Sequence, residues 1–295
     1  MAAGDRVNLV AGQVPPLYHC KCEYCSQVIG ELVQPDGSYY SRNERRKYYV
    51  EEERGEGGHI AKTPVHIARW AVQQYTQPGD WVLDPTIGAG TTAVEAMTQG
   101  RNAAGMELEY GDILEANVRK AKAMAMNGVD AIIAPGDSRK IKEDFLDVIK
   151  KEFTLIVNNP PYKGDVSHPS PAKEGYGPQF RHLERKFEYK KELPNLAHLK
   201  ENAEYWRTME AIYRVCVERL VPGGHFVTGI KDPMKKKEPY LIHKGFCEIL
   251  SKIGLKFEGT AFLKHHPTTL NLNSYKKKWG VQNPLYQTIS VFKKE

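Results

Sequence analysis

Residues 84–96 read DPTIGAGTTAVEA, directly after the apolar run Trp81-Val82-Leu83 and ahead of GMELE at 105–109. A short apolar strand hands over to a helix here, and two glycines and two threonines make the hand-over. Gly88 and Gly90 carry no side chain, so a ligand can approach the backbone, and both tolerate positive φ. Thr91 and Thr92 can cap the helix or offer hydroxyls. In an open parallel sheet, ligands bind beyond the carboxyl ends of the strands, at turns of this kind. The loop says where a ligand sits, not what is done to it.

Working outward, the pattern alternates. Residues 63–75 (TPVHIARWAVQQY) predict a helix with Thr63 as a candidate N-cap and Pro64 in its first turn. WVLDP is a short buried strand, and TTAVEAMTQG a helix closed by Gly100. NAAGMELE is a second strand, and DILEANVRKAKAMAMNG a helix that stops at Asn127-Gly128. DAIIAPGD and FTLIVNNPPY supply strands three and four. After a break at 163–203 come a long amphipathic helix from Asn202, a fifth strand HFVTGIKD, and a helix YLIHKGFCEILSKIG. LKFEGTAFL and YQTISVFKK close the chain as an antiparallel pair. The expectation is an α/β, Rossmann-like fold with a mostly parallel seven-stranded sheet and helices on both faces. Two parts are expected, an N-terminal extension over 1–58 and a main domain over 59–295 with a basic insertion at 163–203.

The glycine loop excludes some ligands. No Lys follows its second glycine, so it is not a P-loop, and Ala93 stands where the dinucleotide fingerprint has its third glycine. Glu107, at the end of the second strand, suits a ribose diol by accepting two hydroxyl hydrogen bonds. A nucleoside-containing ligand without a pyrophosphate fits. Asp84 could meet a cationic group of that ligand, or be a turn-forming Asp before Pro. Asp137, after the third strand, could accept from an adenine amino group or cap the next helix.

Asn159-Pro160-Pro161-Tyr162 ends the fourth strand. Two prolines stop a strand and fix its carbonyl directions, but do not account for a polar residue before them and an aromatic after. The Asn159 side-chain oxygen and the Pro160 carbonyl can both accept from an exocyclic NH2, stabilising the positive charge that grows as its nitrogen attacks an electrophile. Tyr162 can stack on a base drawn out of its strand.

Together, DPTIGAGTT, GMELE and NNPPY resemble the amino-group methyltransferases that act on nucleic acids with S-adenosylmethionine, the DNA N6-adenine and N4-cytosine family of NPPY type. HIAKTP at 59–64 resembles the segment that closes over the cofactor's methionine end, and YQTISVFKK the family's last strand. The resemblance covers roughly residues 59–162 closely and 205–295 as general pattern. It implies the class I methyltransferase fold and S-adenosylmethionine as cofactor. Asp84, Gly88 and Gly90 would meet its methionine part with Lys62 and Thr63 nearby, Glu107 the ribose and Asp137 the adenine. Asn159, Pro160 and Tyr162 would hold the target base. The chain departs from the family at Thr86, where an aromatic is common. The resemblance implies DNA methylation of the restriction-modification kind. The motif order and Asn159 imply adenine N6 rather than cytosine N4, with an RNA amino group as a further alternative.

Other features set limits. Hydrophobic residues are 41% and charged residues 26%, as in an ordinary folded globule. No apolar stretch approaches the roughly 20 residues of a membrane helix, and MAAGDRVNLVAGQ does not read as a secretory signal, so a cytoplasmic protein is expected. The net charge of +6 is clustered at 42–47, 181–191, 235–237 and 276–278, with tyrosines interleaved. The clustering favours a polyanionic partner, DNA or alternatively RNA. Within the insertion, Lys163, Arg181, Arg185, Lys186, Lys190 and Lys191 could track phosphates, and Phe180, Phe187 and Tyr189 could stack on bases. The alternative is a surface loop. Three of five cysteines crowd into YHCKCEYC (Cys20, Cys22, Cys25). Their spacing reads first as thiols without metal, with zinc as the alternative if a further ligand exists. Cys216 and Cys247 sit at apolar helical positions and are expected in the core. No large recognition domain is evident, so sequence specificity is expected to be low, to come from 163–203, or to need a protein partner or second copy. A catalytically silent nucleic-acid-binding subunit is the rival of another class; an intact NPPY argues against it.

Overall fold

The computed structural model describes residues 7–11, 20, 22–33, 49, 63–109, 111–125, 128–161, 196, 199, 202–232, 234–235, 238–239, 241–264 and 286–295. In chain order the elements are β1 (Asn8–Val10), α1 (Glu23–Ser26), β2 (Val28–Val33), α2 (Val65–Tyr75), β3 (Trp81–Asp84), α3 (Thr91–Met97) and β4 (Asn102–Glu107). Next come α4 (Gly111–Met124), β5 (Ala131–Pro135), α5 (Asp147–Ile149), β6 (Phe153–Asn158), α6 (Asn202–Glu218) and β7 (Leu220–Ile230). A small hairpin of β8 (Met234–Lys235) and β9 (Glu238–Pro239) precedes α7 (Ile242–Lys252), β10 (Lys256–Lys264) and β11 (Tyr286–Lys293).

One sheet runs β1-β2-β10-β11-β7-β6-β3-β4-β5. Strands β5, β4, β3, β6 and β7 are parallel neighbours, β11 runs antiparallel between β7 and β10, β2 is parallel to β10, and β1 antiparallel to β2. The chain leaves β3 toward β4 and β5, then returns to the other side as β6 and β7. The strand order therefore reverses between β3 and β6, the crevice where open α/β sheets bind ligands.

Period-two alternation sorts the side chains into two cores. Val82, Ala103, Leu155, Val157 and Val227 face α2, α3 and α4 through residues such as Trp70, Val94 and Leu114. Leu83, Ala104, Ile156 and Phe226 face Phe145, Met209, Tyr213, Cys216 and Phe246 on the opposite layer. Burial on both faces explains why the parallel strands read as continuous apolar runs. Cys216 and Cys247 are core residues, as expected.

Three expectations need correction. Among the described residues the sheet has nine strands, not seven. The added pair comes from the N-terminal 58 residues, where VIGELV pairs with β10 and NLV pairs with it in turn. Residue Thr63 does not cap α2: the N-cap position is Pro64, with no side-chain cap. Strand β7 begins at Leu220, before Pro222-Gly223-Gly224, because the Gly223 N–H and Gly224 carbonyl pair with Lys294. Among the described residues, no helix is long and apolar enough to cross a membrane.

Candidate active site

Parallel strands bring their carboxyl ends to one edge of the sheet. Asp84 ends β3, Glu107 ends β4, Asp137 follows β5, Asn158 ends β6 and Asn159 follows it. The glycine loop crosses this edge. Gly90 holds the N-cap position of α3 at φ 86°, and a Cβ there would stand 2.8 Å from Leu114 Cδ1, so both backbone and space call for glycine. Gly105 lets the loop lie on β4: a Cβ would meet the Asp84 carbonyl and Ile87 Cδ1, each at 2.6 Å. Ile87 N–H in turn donates to the Met106 carbonyl.

Glu107 is nearly buried, and its position is set by backbone. Oε2 accepts the Gly88 N–H at 2.8 Å and Oε1 the Glu109 N–H at 2.8 Å. The acid at the end of β4 and the glycine loop after β3 are thereby one unit. A carboxylate has about four acceptor positions, which suits a diol beside a side-chain-free loop.

At the strand tip, the buried Asp84 carboxylate accepts Thr92 Oγ1 at 2.7 Å, Asn158 Nδ2 at 3.0 Å and the Thr86 N–H at 3.2 Å. Burial raises its pKa to about 6 against those three donors, helped by the charge of Glu107. Thr92 thus serves Asp84, not the helix cap. Thr86, the position without an aromatic, accepts from Asn158 Nδ2 at 2.8 Å.

Asn158 is a residue the sequence reading passed over. It is completely buried; its amide donates to Asp84 and Thr86, and its oxygen accepts from Tyr213 Oη of α6 at 2.7 Å. Tyr205, two turns earlier on α6, donates to the Pro161 carbonyl at 2.8 Å. The strand end is thereby tied to the glycine loop on one side and to α6 on the other. The only sequence signal was the doubled Asn before the prolines; Asp84 and Tyr213 lie 74 and 55 residues away.

Behind the loop, Glu95 of α3 is buried with Arg69 of α2, Nε to Oε2 at 2.8 Å, and Tyr49 Oη donates to its other oxygen at 2.9 Å. Residue Asn117 donates to the Ala89 carbonyl at 2.7 Å. The loop is fixed from several directions.

Of the remaining expected residues, Thr63 lies just before α2, and Asn159 and the buried Pro160 continue β6. Asp137 takes the capping role: it accepts the Arg139 N–H at 3.0 Å and pairs with the Arg139 guanidinium. Burial would raise its pKa, but the bonds from Arg139 prevail and lower it. Lys62, Tyr162, Lys163, Arg181, Arg185, Lys186, Lys190 and Lys191 lie outside the described residues, as do Phe180, Phe187 and Tyr189. Cys20, Cys22 and Cys25 come together with His243.

Residues 29–117 match the family model described as DNA methylase, of the N6/N4 group. The Type II methyltransferase M.MthZI of Methanothermobacter thermautotrophicus is 39% identical over 62 residues, 20% of this chain and 18% of that protein. Another, M.Cfr9I of Citrobacter freundii, is 39% identical over 74 residues, 24% of this chain and 25% of that protein. The aligned stretch thus spans a quarter or less of these relatives. Among solved structures, the precorrin-6y C5,15-methyltransferase of Geobacter metallireducens aligns with a TM-score of 0.47 at 11% identity, over 83% of this chain and 97% of that one. The family model agrees with the resemblance carried by the glycine loop and GMELE, and both relatives are methyltransferases by name.

Proposed function

We propose that the chain transfers a methyl group from S-adenosylmethionine to the exocyclic amino group of a base in DNA, adenine N6 ahead of cytosine N4. The single observation that carries this reading is the Asn158 bridge. Its amide binds Asp84 and Thr86 in the glycine loop while its neighbours Asn159 and Pro160 begin the second motif. The glycine loop and the strand end that carries Asn159 and Pro160 therefore stand side by side on adjacent parallel strands, which supports this reading.

The donor set fits the cofactor: Glu107, anchored by two backbone N–H groups, suits the ribose diol, and the loop at Gly88 and Gly90 leaves room for the rest. When bound, S-adenosylmethionine supplies an electrophilic methyl on a sulfonium centre. Asp84 acts by fixing Thr92, Thr86 and Asn158. Lys62 and Thr63 would hold the methionine end, and Asp137 the adenine. Asn159 through its side-chain oxygen and Pro160 through its carbonyl accept from the target NH2, orienting the lone pair and stabilising the charge that develops on nitrogen. Tyr162 stacks on the extruded base. No strong base is required before transfer, since the alkylated amine is acidic enough to release its proton to water. The basic residues of 163–203, Lys163, Arg181, Arg185, Lys186, Lys190 and Lys191 among them, hold the phosphate backbone. Adenine is preferred because an Asn rather than a Ser stands before the prolines. This reading favours a catalyst over a silent binding subunit because binding alone needs no pair of carbonyl acceptors at the strand end.

Asn159→Ala tests the assignment. It removes one acceptor that acts mainly in the transition state, so single-turnover methyl transfer should fall by about 10²–10³-fold, as for loss of one oxyanion-hole donor, with cofactor affinity unchanged. Transfer at the wild-type rate would make the motif a strand terminator only.

A further inference from the structure

Two segments remote in sequence meet at the start of α7. Nε2 of His243 lies 3.6, 3.4 and 3.1 Å from Sγ of Cys20, Cys22 and Cys25. All four ligand atoms lie within 4.8 Å of one another. Zinc binds thiolate at about 2.3 Å and imidazole at about 2.0–2.1 Å, so a tetrahedral site has ligand–ligand edges of roughly 3.5–3.8 Å. The observed sulfur–nitrogen separations are close to those edges.

The surroundings suit a metal ligand set better than a cluster of core thiols. Asp232, two residues past β7, accepts the His243 backbone N–H at 3.0 Å with Oδ1 and contacts Nδ1 with Oδ2. A carboxylate there holds the proton on Nδ1 and turns the Nε2 lone pair toward the sulfurs, the outer-shell arrangement behind metal-bound histidines. The Cys22 N–H points at Cys20 Sγ, 3.4 Å away, as a donor to a thiolate would. One imidazole lone pair can serve one thiol well, whereas a central cation satisfies three sulfurs and a nitrogen together. His243, Cys25 and Cys20 are 0%, 1% and 7% exposed and Cys22 is half-buried, so protein side chains could supply all four positions of a tetrahedron. A closed set of this kind is structural, not catalytic.

We propose that Cys20, Cys22, Cys25 and His243 form a structural zinc site that fastens the N-terminal segment to the sheet. The cysteines bind as thiolates and release their protons to solvent on metal uptake. The site closes on α1, and β2 follows at once to pair with β10; Thr260 of β10 donates its N–H to the Gln27 carbonyl and its hydroxyl to the Tyr24 carbonyl. The metal thus holds the entry to the outer strand pair against α7. The site is independent of the proposed methyl transfer.

Elemental analysis of the full-length chain, purified under reducing conditions without added chelator, should find about one zinc per chain. Cys20→Ser with Cys25→Ser, and separately His243→Ala, should lose it, while Cys216→Ala keeps it. Should the ligand variants fail to fold, Asp232→Asn provides a milder probe: it leaves all four ligands and should raise the zinc dissociation constant by about 10–100-fold, read by competition with a chromogenic chelator. Cobalt(II) added to the metal-free chain should give the intense visible bands of a tetrahedral thiolate site. Metal-free protein that takes up neither zinc nor cobalt would overturn the proposal. So would full zinc content in the double cysteine variant or in His243→Ala.

Discussion

The crevice between β3 and β6 and the outer edge at β10, β2 and β1 are held together by opposite means. In the crevice, polar side chains at the strand ends are joined by hydrogen bonds to one another and to the adjoining loop and helices: Asp84 to Thr92 and Asn158, Asn158 to Tyr213, Glu107 to the Gly88 N–H. At the outer edge, three cysteines near the N-terminus reach a histidine 218 or more residues away. Position in a parallel sheet is enough to assemble the first region. The second gains its cohesion from a cluster that only the finished fold brings together.

The largest effect is expected at Glu95. Glu95→Ala removes the carboxylate that pairs with the buried Arg69 guanidinium, and removing one member of a buried pair costs about 3–5 kcal/mol. Urea unfolding should show that loss, and zinc content should stay at the wild-type value. A loss under 1 kcal/mol, or coupled loss of metal, would show that the two regions are not separately built.

Next in size is a pH effect. Asp84 titrates at about 6 in the fold against an ordinary 3.8, chiefly through burial. The folded chain keeps this proton as pH rises, so the associated stability is complete below about pH 4 and lost as pH climbs through about 6. A displacement of that size corresponds to about 3 kcal/mol. Relative to Asp84→Asn, the wild type should lose about that much stability between pH 4 and pH 7. A difference that stays flat over this range would mean that Asp84 ionises as it does in water.

The smallest expected effect sharpens the comparison. Tyr213→Phe deletes the donor to the buried Asn158 oxygen and should cost about 1–3 kcal/mol in thermal or urea unfolding. It should lower methyl transfer more than cofactor affinity, since it loosens the strand end rather than the glycine loop. Equal loss of both would place Tyr213 in the core alone.

The crevice was legible because its signals are local. An apolar run, a glycine loop, an acid one strand later and an Asn before two prolines each fit within a few residues, and βα alternation places them on one edge. Asn158 was missed because its role depends on Tyr213 and Asp84, which only the sheet brings near. The position of Asp84 at a strand tip was legible, whereas its bonds to Thr92 and Asn158 were not. VIGELV went unread as a strand because it lies between a cysteine cluster and the QPDGS turn, with few residues to show a period. The three cysteines were visible from the start; their fourth partner followed no spacing rule, since Asp232 and His243 belong to the far end of the chain.

The central claim, amino-group methylation of DNA at this crevice, has a direct measurement. The full-length chain is incubated with methyl-labelled S-adenosylmethionine and duplex DNA, and the DNA is digested to nucleosides for mass spectrometry. Label is expected in N6-methyladenine and is lost with Asn159→Ala. Label in N4-methylcytosine would keep the chemistry and change the base. Cofactor bound with no label in either amino-methylated nucleoside would contradict it.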